Sequence, residues 1–203
     1  MALREQLSQD EIVDTAIRLA GDVGVDRLTM RVLGDELGVT AMALYHYIPN
    51  KSVLLQLLAD RVIEHVEPPA AGHGPWDQQL ARLASALRSA LGAYPGVGPF
   101  LLGRDIYTPA MNRISTAAIA MLVDQGFSRK EAALAFTAMH NLLLGRLIME
   151  DAFRGARGTK ARRKLDRHGT PAELSAPADE HFAYGLTALL VGIRGHSAPQ
   201  DPM

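Results

Sequence analysis

Thr40-Ala41-Met42-Ala43-Leu44-Tyr45-His46-Tyr47, followed by Ile48-Pro49-Asn50-Lys51, is the stretch on which the fold turns. It reads as one short helix. Thr40 supplies a hydroxyl N-cap, and Pro49 disfavours the α conformation at Ile48. A helix of this length is not stable alone and must be held by neighbours. Leu44 and Ile48, spaced i, i+4, supply the face for that. The remaining side chains are small (Ala41, Ala43) or aromatic with polar tips (Tyr45, His46, Tyr47). Small residues permit close approach to a surface, and hydroxyls and ring nitrogens reach phosphates or base edges. The stretch therefore reads as a recognition helix for DNA.

The residues before it complete a unit. Ser8-Gln9-Asp10-Glu11 is a capping box, and Ile12, Ala16, Leu19, Ala20 and Val23 recur at helical spacing up to Gly24. Thr29 caps a second helix, Met30 to Leu37, with Leu33 and Leu37 directed inward. Gly38-Val39 is a tight turn into the helix that Thr40 opens. Two short helices joined by a glycine-containing turn of about three residues have helix-turn-helix geometry. Val39, Leu33, Leu37 and Leu44 can close a small core that fixes the angle between them, and the third helix is left to enter a major groove.

Residues 8–66 resemble the N-terminal domain of the TetR family of transcriptional regulators. The matching residues are Leu28-Thr29-Met30-Arg31-Val32-Leu33, Leu37-Gly38-Val39-Thr40, Ala43-Leu44-Tyr45, and Asn50-Lys51 before Leu54-Leu55. The resemblance implies phosphate or guanine contact from Thr29 and Arg31, and base contact from Thr40, Ala41, Met42 and Ala43. It implies phosphate contact from Tyr45 and Lys51, the latter at a helix start whose positive end suits an anion. One departure stands out: the histidine, His46, comes one position early, and Tyr47 and Ile48 occupy the place usual for a histidine and an aromatic. Tyr47 can still donate to a phosphate, and His46 is a DNA contact or a solvent-facing residue.

A fourth helix runs from Lys51 to Val66. Glu67-Pro68-Pro69 ends it, and the Pro/Gly/Ala stretch to Pro75 is a domain boundary. The expected domains are residues 1–67, a helix-turn-helix DNA-binding domain, and 68–203, a larger helical ligand-binding and dimerisation domain. Helices are expected over Trp76–Ala93, Pro95–Gly103 (short and irregular), Thr108–Gln125, Ser128–Phe153 and Ala178–Arg194. The fold class is all-α. Gly96-Val97-Gly98-Pro99 lacks the third glycine and the preceding strand of a phosphate fingerprint. Arg154 to Pro177, with six further Lys/Arg after Arg154, reads as a solvated loop or as a nucleic-acid patch.

Composition excludes several functions. The 203 residues contain no cysteine, so thiolate metal sites and cysteine nucleophiles are absent. No His-Glu-x-x-His or His-x3-His pair occurs among the seven histidines, and no metal, cofactor or enzymatic activity is expected. Met1 to Gln6 carries no apolar leader, and no apolar run approaches the ~18 residues of a membrane span, so a cytoplasmic protein without a membrane partner is expected. Residues 1–67 hold six Lys/Arg against eleven Asp/Glu, a net −5. A DNA-binding segment is usually basic, so its positive groups must be focused on one face.

His140-Asn141 is the one polar pair deep in an apolar helix, and it reads as a core histidine or as an anchor in an apolar ligand pocket. Trp76, Phe100, Arg104, Tyr107, Met111, Phe136, Met139 and Leu144 are the further ligand-binding candidates. The resemblance implies a homodimer through the last two long helices, about 128–153 and 178–194, and a palindromic double-stranded operator. The expected function is a ligand-responsive DNA-binding regulator, a repressor released by a small apolar molecule. The alternative is a helical small-molecule binding or scaffold protein whose helix-turn-helix is vestigial.

Overall fold

The computed structural model describes residues 7–70, 72–102, 108–156 and 177–196. Among these the ordered elements are all helical: α1 Gln9–Val23, α2 Met30–Leu37, α3 Ala41–Tyr45, α4 Lys51–Ile63, α5 Trp76–Gly92, α6 Val97–Leu102, α7 Pro109–Asp124, α8 Arg129–Ala156 and α9 Ala178–His196. The helix starts are set by side-chain caps. Ser8, Thr29 and Thr40 accept from the amides of Glu11, Val32 and Ala43 at 3.1, 3.1 and 3.2 Å. Asn50, which the sequence reading does not treat as a cap, accepts from Val53 N at 3.0 Å. Ser128 and Glu131 exchange both bonds of a capping box, at 2.8 and 3.2 Å.

The ends differ in detail from expectation. α4 stops at Ile63 rather than Val66. The prolines ahead cannot continue a helix, and the chain leaves it early, which lets Val66 turn back into the core at 7% exposure. α8 runs to Ala156, past Phe153, and α9 to His196, past Arg194. By length and composition α8 could cross a bilayer, against the expectation that no segment could. Here it is a core helix: Met139, Leu143 and Leu147 are buried, and Arg146 is paired with Glu150 at 2.8 Å.

The chain forms two compact units, each made of two segments. The first joins residues 1–66 to 89–112; the second joins 67–88 to 113–203. In the first, Leu28, Leu33, Leu44, Ile48, Leu54 and Leu58 are at most 1% exposed. At about 25 cal/mol per Å2, this apolar burial is what holds the five-residue α3 in place. Gly34 makes the turn possible. A Cβ there would stand 2.8 Å from the Val39 carbonyl oxygen, inside contact distance, and Val39 N donates to the Gly34 carbonyl at 2.9 Å. Gly38, at φ 65°, takes the left-handed conformation that reverses the chain. Residues 89–112 are tied in by Val25 N donating to Pro95 O and Ala110 N donating to Asp60 Oδ1, both at 2.8 Å.

In the second unit, Gln79 is a buried amide that staples the proline-rich stretch. It accepts from Ala70 N and donates to Gly74 O, each at 3.0 Å. Trp76 packs edge-on against Phe127, ring centres 5.1 Å apart. α8 packs on α9, where Gly185 leaves room for Leu142: a Cβ would lie 3.4 Å from its Cδ1.

Candidate functional site

α3 divides its side chains cleanly. Leu44 and Ile48 are fully buried. Met42, Tyr45 and His46 are exposed and follow one another at i, i+3, i+4, so they share the outward face. Ala41, Ala43 and Tyr47 are half-buried, and Thr40 is exposed although its hydroxyl caps the helix. Gln9 Nε2 donates to the Tyr47 carbonyl at 3.4 Å and holds the far end of the reader against α1.

Pairing divides the cations of this region. Residues 7–66 carry five cations: Arg18, Arg27, Arg31, Lys51 and Arg61. Arg18 is bound to Glu36 at 2.6 Å. Arg61 bridges Asp10 and Asp14 of α1, the latter at 2.7 Å, with Glu64 at 3.5 Å. The Asp10 hydrogen bond in particular raises its pKa further above the ordinary arginine value. Lys51 Nζ donates to the Asp26 carbonyl at 3.4 Å and keeps its charge uncompensated by that contact. Arg27 and Arg31 are exposed and make no ion pair among the described residues. Arg31 and Thr29 stand at the start of α2, as expected. Arg27 was missed by the sequence reading, because nothing in its spacing marks it. Its relevance comes from the fold, where the Lys51–Asp26 contact brings the start of α4 to the α1–α2 link.

The body candidates are less unified. Phe136, Met139 and Leu144 are buried in the second unit, and Trp76 there is half-buried. Phe100 and Met111 are half-buried in the first unit. Arg104 and Tyr107 lie outside the described residues, as does the basic stretch after α8. His140 stacks on Phe136 with ring centres 6.1 Å apart. Its Nδ1 is buried without a hydrogen-bond partner among the described residues, and burial holds its pKa below the usual 6.5. Asn141 is exposed. This corrects the expectation of a joint His140-Asn141 anchor, since successive helical residues point about 100° apart. Among the described residues no three His, Asp or Glu gather as a metal site.

The family of bacterial regulatory proteins named tetR matches residues 12–58, and the tetracyclin repressor-like C-terminal domain matches residues 68–196. The chain belongs to the TetR family. A possible TetR-family transcriptional regulator from Streptomyces coelicolor A3(2) is 30% identical in its crystal structure, with 93% of this chain and 99% of that one covered and a TM-score of 0.81. The class C tetracycline repressor protein of Escherichia coli is 32% identical over 149 residues, covering 72% of this chain and 68% of that protein. A TetR variant from Acinetobacter baumannii AYE, crystallised in complex with minocycline, is 26% identical, covers 95% and 99% of the two chains and has a TM-score of 0.76.

TetR-family membership gives the protein its class. The protein is a ligand-responsive, DNA-binding transcriptional regulator of the helix-turn-helix type, of the repressor class. Its curated relatives are transcriptional regulators rather than enzymes.

Proposed function

We propose that this chain acts by binding alone, in the cytoplasm, as a homodimer that represses from a palindromic operator and leaves it when a small apolar molecule binds the body. The observation that carries the reading is the arrangement around α3. An outward face of Met42, Tyr45 and His46 is accompanied by Arg27, Arg31 and Lys51, while the other two cations of residues 7–66 are held by carboxylates. Arg31 and residues 40–43 supply specificity, and Tyr45, Tyr47 and Lys51 with Thr29 supply position. His46 shares the outward face and lies within reach of the backbone.

The dimer is supported by the outer faces of α8 and α9. Leu134, Met149, Phe153, Tyr184 and Val191 are 59, 49, 44, 80 and 65% exposed. One short helix reads few bases, so two copies about 34–36 Å apart are needed for useful specificity. The operative division is then a reading domain of about 1–67 and a sensing and dimerising domain of about 68–203.

The effector is assigned to the apolar wall of α8, which carries the buried Phe136, Met139 and Leu144 and the His140 ring stacked on Phe136. α4 is suited to transmit its binding. No residue from Lys51 to Ile63 is exposed, Arg61 grips α1, and the neighbouring Asp60 accepts from the start of α7. A tilt of α4 moves the reader, and a coupling of ~1–3 kcal/mol suffices.

A mobility-shift titration with the DNA flanking its own gene tests the reading. A sequence-specific shift is expected, with log K falling against log salt at a slope of roughly −5 for about six phosphate contacts per dimer. No specific shift at low salt overturns it and favours the helical ligand-binding alternative.

A further inference from the structure

The first turn of α3 is nearly devoid of hydrogen-bonding side chains. Thr40 accepts from Ala43 N with its hydroxyl, and Ala41 and Ala43 present methyl groups that are half-buried. The side chain that stands out is Met42, at 69% exposure. Among the described residues of the first 66, the other exposed large apolar side chains reach only 38–45%. Tyr45 and His46 share its face but lie a turn further on. When a recognition helix enters the major groove, its first residues meet the base edges. Met42 is therefore the long side chain aimed at the bases.

A thioether has little to offer a phosphate and offers a base edge only a weak acceptor. Its strength is apolar contact by an unbranched, adaptable chain. The largest apolar group on the base edges of the major groove is the C5 methyl of thymine. We propose that Met42 is a specificity-determining residue, and that each operator half-site carries a thymine whose methyl packs against the Met42 thioether. This rests on the DNA-binding reading above and adds to it a statement about operator sequence. Guanine recognition falls to Arg31, exposed at the start of α2. The helix tolerates an exposed methionine because its hold on the protein comes from Leu44 and Ile48, both fully buried.

Deoxyuridine substitution tests this directly, since it removes the methyl and leaves every hydrogen-bonding group in place. The full-length protein is titrated against its operator duplex, with each thymine of a half-site replaced in turn. At one position per half-site, loss of the methyl is expected to weaken binding about fourfold, and about fifteenfold when both half-sites are changed, the figure for burying one methyl-sized group. Met42→Ala is expected to weaken binding to the unmodified operator by a similar factor and to bind the thymine and deoxyuridine duplexes equally, closing the double-mutant cycle. Alanine is a good helix former, so an unchanged melting temperature of this variant shows that the head is intact. If the protein binds its operator specifically but no deoxyuridine position matters, or Met42→Ala keeps the same preference, the inference about Met42 falls and the regulator reading stands. If no duplex is bound specifically, both fall.

Discussion

α3 and α8 each have a buried and an exposed side, and they illustrate opposite cases. In the five residues of α3 the buried side is Leu44 and the exposed side carries polar tips, with Met42 the exception. In the 28 residues of α8, Met139, Leu143 and Leu147 are buried, while Leu134, Met149 and Phe153 are equally apolar and exposed. For α3, residue chemistry reports the side of Leu44 and Tyr45 but not that of Met42. For α8 it does not, because one apolar stripe serves the protein's own core and the other is exposed. The exposed apolar stripe of α8 is the kind of surface that a partner covers.

The largest effect is expected on the outer stripe. Val191→Asp places a charge from each chain in the proposed interface, an uncompensated burial costing several kcal/mol. Light scattering should show monomers at micromolar concentration, and a persisting dimer would remove α9 from the interface. Next comes Gly34→Val, which puts side-chain atoms where a single Cβ already stands 2.8 Å from the Val39 carbonyl. A loss of about 3 kcal/mol from the head is expected, with DNA binding abolished. Hydrogen exchange should show α2 and α3 deprotected and α8 unchanged.

Glu150→Gln is third. Glu150 Oε1 accepts from Arg88 at 2.7 Å and from Arg146 at 2.8 Å, and Arg88 also meets Asp179 and lies over the Phe182 ring. These arginine and glutamate side chains are only 15–19% exposed, so losing the carboxylate costs about 2 kcal/mol, below the value for full burial. Burial raises the Glu150 pKa, but its bonds from Arg146 and Arg88 outweigh this and hold it below the usual carboxylate range. Its stabilisation is therefore present above that range and is lost as pH falls through the lower folded value. Melting curves in mild acid should show this fall in the native protein and a flatter one in the variant. The Arg61 cluster, with carboxylates 58–80% exposed, should yield much less on Arg61→Ala.

Smaller effects lie at the reader and the body histidine. Lys51→Ala should weaken binding to all sequences and reduce the salt slope by about one per head, and Tyr45→Ala should weaken it without altering base preference. A changed base preference in either would move that residue into the groove. His140 is held below its usual pKa by burial, so below about pH 6.5 the unfolded chain takes up a proton that the folded chain refuses. Stability should decline there, and His140→Gln should remove that part of the decline.

Much of the head was legible because its signals are local. Ser8, Thr29 and Thr40 cap the helices they were expected to cap, since a cap needs only a side chain and an amide three residues on. The reader's buried pair Leu44 and Ile48 followed from period alone. Gly34 and Arg27 were not legible. One depends on how near a later turn passes, the other on which cations remain after Arg18 and Arg61 find partners as many as 18 and 51 residues away. Asn141 failed for a related reason, because an apolar sequence neighbourhood does not say which side of α8 is covered.

By itself, then, the sequence determined an all-helical chain, its helix starts and a reading helix with Leu44 inward, because periodicity and capping act over three to four residues. Only the tertiary structure decided that residues 89–112 join the first unit, that Arg27, Arg31 and Lys51 make no ion pair among the described residues, and that α8 has a second apolar side. Those depend on contacts between residues distant in the chain, which no local pattern encodes.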